Sequence, residues 1–158
     1  MLAGGEASRF GSPKQRLFLP SVLAALERSG VDAVVVVTGA HEVETDARVV
    51  HCPDWARGPG ASLRCGLVTL RHEAEAAVVV LADGPNLDPR AVDRCVNAWR
   101  GGKGDALAAT YDGVNRSHPV LLARPLWHAV PDEGARALGV VLVPCEDLTP
   151  PGDVDYAE

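Results

Sequence analysis

Several familiar signatures are missing from this chain of 158 residues. No apolar run reaches the roughly 18 residues that a membrane-spanning helix needs, and no basic segment followed by an apolar one marks a secretion signal at the start. Acidic residues outnumber basic ones and give a net charge of −6, which argues against a nucleic-acid backbone as the main partner. We therefore expect a cytoplasmic protein that binds neither membrane nor nucleic acid.

Cysteine patterns that would indicate a metal site or a disulfide framework are also missing. The spacing contains no C-x-x-C pair, which argues against zinc ligation, and a chain of this size does not depend on a disulfide framework. We therefore expect reduced, mostly buried thiols at all four cysteines, Cys52, Cys65, Cys95 and Cys145.

Two well-known phosphate-binding loops are absent as well. The Walker pattern requires Lys directly after its last glycine, whereas Gly11 is followed by Ser12 and Pro13. The dinucleotide pattern G-x-G-x-x-G is excluded because the early glycines are Gly4, Gly5 and Gly11. Any phosphate bound near the start of this chain must therefore be held by another kind of loop.

The stretch from Leu2 to Gln15 has the composition of such a loop. Its apolar start predicts the end of a strand, and the pair Gly4-Gly5 allows backbone N–H groups to approach a ligand closely. Arg9 and Lys14 add a planar donor fork and a compact positive charge, which together suit a polyphosphate. We interpret the stretch as a nucleoside triphosphate loop; the alternative is a surface turn with two solvated cations.

Apolar segments typical of buried strands alternate with amphipathic segments along the whole chain. The alternation predicts one doubly wound, three-layer α/β/α domain over residues 1–158 with a mostly parallel sheet, in which the first strand is truncated. The predicted helices begin at Pro20, at Gly58 and after Asp88, with short ones near Pro125 and Glu133. The predicted strands cover residues 1–3, 33–37, 49–50, 77–81, 106–111, 119–123 and 140–143.

Two positions in this alternation are candidates for ligand contacts. Asp83 follows the strand over residues 77–81, and ligands of open α/β sheets bind beyond the carboxyl ends of such strands. Its carboxylate suits Mg²⁺, although an aspartate before Gly-Pro also starts many turns. At the start of the second helix, Ser62 can act as a cap, and free N–H groups there suit an anion or a base edge. The alternative is a capped helix without a ligand.

At this point the sequence resembles a known family. Leu2 to Gly5, with Arg9, Gly11, Pro13 and Lys14, are similar to the signature loop of the MobA-like nucleotidyltransferases. The later motifs are most like those of molybdenum cofactor cytidylyltransferases, whereas Gly4-Gly5 is more like the guanylyl branch. These later motifs lie, in the family's order, at residues 58–67, 81–85, 118–121, 134–136 and 153–155.

The resemblance implies a nucleotide-diphospho-sugar transferase-like fold and a Mg²⁺-dependent reaction. A nucleoside monophosphate would pass from CTP, the favoured donor, or from GTP to a phosphate-bearing acceptor such as molybdopterin, and pyrophosphate would be released. We expect a monomer or a weak homo-oligomer. The implied catalytic residues are Arg9, Lys14 and Asp83, and the implied metal ligands are Asp83 with Asp155 or Asp153. The implied acceptor contacts are His118 and Arg136. The implied nucleotide contacts are the three catalytic residues together with Leu2, Ala3, Gly4, Gly5, Gly60, Ala61 and Ser62.

Two other functions remain open at this point. A sugar-phosphate nucleotidyltransferase would share the loop and Asp83, but it normally has a longer chain with an additional sugar-binding insert. A degenerate protein that binds nucleotide without turning it over is consistent with the truncated first strand. Pyrophosphate release in the presence of the acceptor separates an enzyme from a binder.

Overall fold

The computed structural model of the protein describes residues 1–3, 14–70, 72 and 74–152, with side chains for all of these except residues 14–16. The helices are α1 (Lys14–Glu27), α2 (Pro59–Leu70) and α3 (Pro89–Arg100), with short 3₁₀ helices at Trp55–Arg57, Arg124–Ala129 and Ala135–Ala137. The strands are β1 (Leu2–Ala3), β2 (Val35–Thr38), β3 (Arg48–His51), β4 (Ala76–Val79), β5 (Ala106–Thr110), β6 (Ser117–Ala123) and β7 (Val141–Pro144). None of the described helices has the length and apolar character needed to cross a membrane.

The strands form an open sheet in the order β3-β2-β1-β4-β6-β5-β7, made of two hydrogen-bonded groups, β3-β2-β1 and β4-β6-β5-β7. β1, β2 and β3 are parallel, β6 runs antiparallel to β4 and β5, and β7 is parallel to β5. The two groups are joined by a parallel bridge, in which the Leu2 amide donates to the Val80 carbonyl at 2.9 Å and the Ala82 amide to the Leu2 carbonyl at 3.0 Å. Because the strand order reverses between β1 and β4, a ligand crevice is expected at the carboxyl ends of these strands.

Helices cover both faces of this sheet. α1 and α3 pack on one face, where Val22, Leu26 and Val92 meet Val80. α2 packs on the other face through Leu63 and Leu67. The predicted three-layer α/β/α domain is therefore confirmed, including its mostly parallel sheet.

The direction of α1 follows from what its two ends touch. Leu19 packs against Ala3 and Ala82, at the carboxyl ends of β1 and β4. Leu26, two turns later, packs near Met1, at the amino ends. α1 therefore begins at the carboxyl edge of the sheet. It also begins earlier than predicted, since Pro20 lies inside the helix rather than at its start.

The first strand is short, as predicted, and fills only part of the space between its neighbours. β1 has two residues, whereas β2 and β4 have four each. The Met1 amino group donates to the Val35 carbonyl at 2.8 Å, and burial lowers the pKa of this amino group to about 5. A cavity of about 510 Å³ lies beside Met1, between the amino ends of β2 and β4.

The expectation of four reduced thiols is wrong for two of the cysteines. Cys52, directly after β3, is joined by a disulfide to Cys65 in α2, with their Cα atoms 5.8 Å apart. The pairing arises because α2 packs across the end of β3, which the spacing in the sequence does not reveal. Cys95 and Cys145 are free and buried, as expected, and burial raises the pKa of the Cys95 thiol to about 12.

Replacing Leu107 with alanine should destabilise the domain strongly. Leu107 in β5 is fully buried in the core against α3, so the change removes packed methyl groups and leaves a cavity. We expect the free energy of unfolding to fall by about 2–5 kcal/mol, measured by urea denaturation. Val114→Ala is the control, since Val114 is 76% exposed. Equal denaturation midpoints for the two variants would contradict the assigned core.

Candidate active site

Asp83 lies where the sequence predicts it, directly beyond the carboxyl end of β4. The chain from Val80 to Ala82 continues alongside β1 through the hydrogen bonds made by Leu2. Asp83 then opens a turn with Gly84 and is half-buried. It therefore stands at the point where the strand order reverses, which is the expected place for a ligand.

Two residues of the predicted phosphate loop, Ala3 and Lys14, lie at the same edge of the sheet as Asp83. Ala3, the last residue of β1, is buried next to Ala82, and the backbone of Lys14 begins α1 at the same edge of the sheet. Gly4, Gly5 and Arg9 lie outside the described residues, as does the side chain of Lys14, so their predicted contacts with phosphate stay predictions.

The carboxyl-terminal segment returns to the Asp83 turn. The Asn86 amide donates to the Pro151 carbonyl at 3.0 Å. A Cβ atom placed on Gly84 would lie 3.2 Å from Pro151 Cβ and 3.3 Å from the Gly152 carbonyl oxygen. The glycine therefore allows the tail to pack tightly against this turn. The predicted metal ligands Asp153 and Asp155 follow Gly152 but lie outside the described residues.

His118 also lies at this edge, near the amino end of β6. β6 runs antiparallel to β4, with Val120 opposite Val79, so His118 is carried past the end of β4 towards Asp83. Burial lowers the pKa of His118, the negative charge of Asp83 opposes this shift, and the positive charge of Arg116 adds to it. Burial therefore favours the neutral imidazole of His118, which lies within electrostatic reach of Asp83. The Tyr111 hydroxyl donates to the His118 backbone carbonyl at 2.9 Å.

The start of α2 follows the carboxyl end of β3 and reaches the same edge. Gly60, Ala61 and Ser62 are buried there, at the positions predicted for nucleotide contacts. The expectation of free N–H groups is wrong for the first two. The Gly60 amide donates to the Asp132 carbonyl at 2.9 Å and the Ala61 amide to the Gly58 carbonyl at 3.2 Å. For Gly60 the cause is a long-range contact with the segment Val130–Gly134, and for Ala61 it is a local bond at the start of the helix.

An ion-paired cluster at this contact was not predicted from the sequence. Arg64 in α2 donates to the Asp132 carboxylate and, at 2.8 Å, to the Val130 carbonyl. Arg57 approaches the other Asp132 oxygen at 3.3 Å. The hydrogen bond from Arg64, with the charge of Arg57, holds the pKa of the Asp132 carboxyl below its usual value. The only signal in the sequence is the arginine of the Ser-Leu-Arg motif, which does not indicate its partner.

The other predicted acceptor residue, Arg136, lies on a 3₁₀ helix beyond this segment and is exposed. Arg116 fixes the backbone there by donating to the carbonyl groups of Ala135 at 2.9 Å and Arg136 at 3.4 Å, and to that of Leu138, directly after the helix, at 2.6 Å. Arg116 therefore holds the backbone that carries Arg136. Burial lowers the pKa of the Arg116 guanidinium.

The metal donors within the described part of the chain are few. No three side chains of His, Cys, Asp or Glu come together there in an arrangement that could hold a metal ion. Mg²⁺ usually takes only one or two carboxylates from the protein, together with water and substrate phosphates. Asp83 and one carboxylate from the tail would therefore be a sufficient donor set.

Comparison with known proteins identifies the family. A family model described as the MobA-like NTP transferase domain matches residues 1–140. The chain belongs to this family. MobA-like NTP transferases are nucleotidyltransferases, and the resemblance expected from the sequence motifs is confirmed. No curated protein sequence matches the chain.

Solved structures show how far the fold is shared. A homologue of Mycobacterium tuberculosis Rv0371c from Mycobacterium sp. strain JC1 is 24% identical with a TM-score of 0.79, covering 99% of this chain and 88% of that one. Rv0371c from M. tuberculosis in complex with manganese is 20% identical with a TM-score of 0.71, covering 91% and 85%. Molybdopterin-guanine dinucleotide biosynthesis protein A from Archaeoglobus fulgidus is 20% identical with a TM-score of 0.64, covering 92% and 82%. These similarities concern the fold alone.

Proposed function

We propose that this MobA-like protein transfers a nucleoside monophosphate from a nucleoside triphosphate to a phosphate-bearing acceptor and releases pyrophosphate. The observation that supports the proposal is that Asp83, His118 and the start of α2 lie at one edge of the sheet, which is also the edge where β1 ends before Gly4, Gly5 and Arg9 in the sequence. Molybdopterin is the acceptor that the sequence motifs favour. CTP is the favoured donor and GTP the second candidate, since the A. fulgidus neighbour is named for a guanine dinucleotide product.

The protein's part in this reaction is positioning and charge stabilisation. An acceptor phosphate oxygen attacks the α-phosphorus, and the bond from that phosphorus to the pyrophosphate oxygen breaks. The N–H groups of Gly4 and Gly5, with Arg9 and Lys14, hold the β- and γ-phosphates and offset the charge on the leaving pyrophosphate. Ala61 and Ser62 contact the base and ribose.

The remaining residues act on the metal and the acceptor. Asp83, with Asp153 or Asp155, would hold Mg²⁺, which supplies positive charge to the triphosphate oxygens when bound. The return of the tail to Gly84 supports this pairing. Neutral His118 offers a hydrogen bond to the acceptor without adding charge beside Asp83. Arg136, exposed and held by Arg116, suits the acceptor's phosphate.

Pyrophosphate release tests the proposal directly. Purified protein with molybdopterin and Mg²⁺ should release pyrophosphate with CTP or GTP, and much less with ATP or UTP. A sugar phosphate in place of molybdopterin should give no release, and omission of the metal should abolish it. Binding of CTP or GTP without release under any of these conditions would contradict an enzyme and favour a nucleotide-binding protein without turnover.

A further inference from the structure

The segment Val130–Gly134 lies between the nucleotide and acceptor sides of the site. We propose that Asp132 is a positioning residue for the start of α2, and that the segment Val130–Gly134 couples the first turn of α2, which carries the predicted nucleotide contacts, to Arg136. The inference rests on the proposed function, because it assigns roles to groups around that same site. None of the sequence motifs includes Asp132.

The first observation is the closeness of the two backbones. Besides the hydrogen bond from the Gly60 amide to the Asp132 carbonyl, a Cβ atom on Gly60 would fall on the Pro131 carbonyl oxygen, far inside van der Waals contact. A Cβ atom on Gly58 would lie 2.5 Å from the Asp132 carbonyl oxygen, and Gly58 has φ +132°. Both glycines are therefore required for the segment Val130–Gly134 to pack against the start of α2.

The second observation is that the Asp132 side chain contacts arginines on both sides of the first turn of α2, residues 59–62. Arg57 precedes the turn and Arg64 follows it by two residues, and both contact the same carboxylate. Arg64 also donates to the Val130 carbonyl. The backbone and the side chain of Asp132 therefore both hold the segment against the start of α2.

The third observation is the path from this segment to the acceptor side. The Gly134 amide donates to the Pro131 carbonyl at 3.0 Å, and Gly134 packs against Pro59 and Gly60. The next residue, Ala135, begins the 3₁₀ helix that carries Arg136 and is held by Arg116. Direct contacts therefore connect the turn that receives the nucleotide with the residue that receives the acceptor.

Titration with CTP and with GTP in the presence of Mg²⁺ tests the positioning role. We expect Asp132→Ala to raise the Kd of the preferred nucleotide by about tenfold, because Arg57 and Arg64 lose a shared charged acceptor. Asp132→Asn keeps an oxygen that can accept from Arg64 and should lose less affinity. Asp147→Asn is the matched control, since Asp147 is an exposed carboxylate paired with an arginine, Arg94, on α3; its Kd should match that of the unmodified protein.

Steady-state pyrophosphate release tests the coupling. With Asp132→Ala, the KM values for the nucleotide and for molybdopterin should both rise, while kcat changes by less than about threefold. A general loss of structure would instead lower kcat and the melting temperature. If Asp132→Ala does not fold, the same KM and kcat values are measured for Asp132→Asn.

The outcomes separate this inference from the proposed function. Unmodified protein that binds neither CTP nor GTP would overturn both. The positioning role alone would be overturned if the unmodified protein bound one of these nucleotides and both Asp132→Ala and Asp132→Asn bound it with the same Kd as the unmodified protein. A rise in nucleotide KM without any rise in acceptor KM would overturn the coupling.

Discussion

Replacing Asp83 with asparagine should lower the rate of metal-dependent pyrophosphate release by at least on the order of 100-fold. The side chain keeps its shape and one acceptor oxygen but loses the negative charge that attracts a divalent cation. Asp83 is half-buried in a turn rather than in the core, so the melting temperature should change little. The measurement is the initial rate at saturating nucleotide over a range of Mg²⁺ concentrations.

The control for this change is Asp105→Asn. Asp105 is an exposed aspartate that precedes β5 and therefore lies at the amino edge of the sheet, opposite to Asp83. The control should retain the full rate. If Asp83→Asn also retained it at every Mg²⁺ concentration, Asp83 would have no part in metal binding, and the turn would only be structural.

Replacing Gly60 with alanine is expected to have the second large effect. The new methyl group would collide with the Pro131 carbonyl, and a backbone atom cannot move aside as the end of a flexible side chain can. The segment Val130–Gly134 must then shift away from α2, at a cost of about 1–3 kcal/mol in the free energy of unfolding. Because the same turn carries Ala61 and Ser62, nucleotide affinity should also fall by at least about tenfold.

Urea denaturation and a CTP titration measure these two effects. Gly139→Ala is the matched control, since a Cβ atom there would meet nothing within 4 Å. It should leave stability and affinity unchanged. Equal denaturation midpoints and equal Kd values for the two alanine variants would show that the contact between α2 and the segment does not exist in solution.

The framework of the fold could be predicted because it depends on local pattern. The continuous apolar runs that became β2 and β4 indicate strands buried on both faces, and Asp88-Pro89 marks the start of α3, where the Asp88 side chain accepts from the Arg90 amide. The position of Asp83 follows from these two facts, since the chain must turn at the carboxyl edge between β4 and α3. No knowledge of distant contacts was needed.

The interactions missed from the sequence are those between distant segments. Arg64 and Asp132 are 68 residues apart, and nothing near either residue indicates the other. The disulfide between Cys52 and Cys65 depends on how α2 crosses β3. Pro20 suits a first helical position and so predicts a later start for α1, whereas the buried Leu19 and Val22 hold the helix on both sides of it.

The predicted site residues fall into two groups, those that the structure describes and those that lie outside its described part. The structure brings Asp83, His118 and the start of α2 to one edge, which the order of motifs alone does not establish. The roles of Gly4, Gly5, Arg9, Lys14, Asp153 and Asp155 stay predictions, since those residues or their side chains lie outside the described part of the chain.

A crystal structure with CTP and Mn²⁺ would test the shared crevice most directly, because manganese scatters anomalously and can be located without ambiguity. We expect the manganese signal within coordinating distance of the Asp83 carboxylate, with the triphosphate between it and the loop of Gly4, Gly5, Arg9 and Lys14. Manganese and triphosphate found elsewhere, such as in the cavity beside Met1 at the opposite edge of the sheet, would contradict the account.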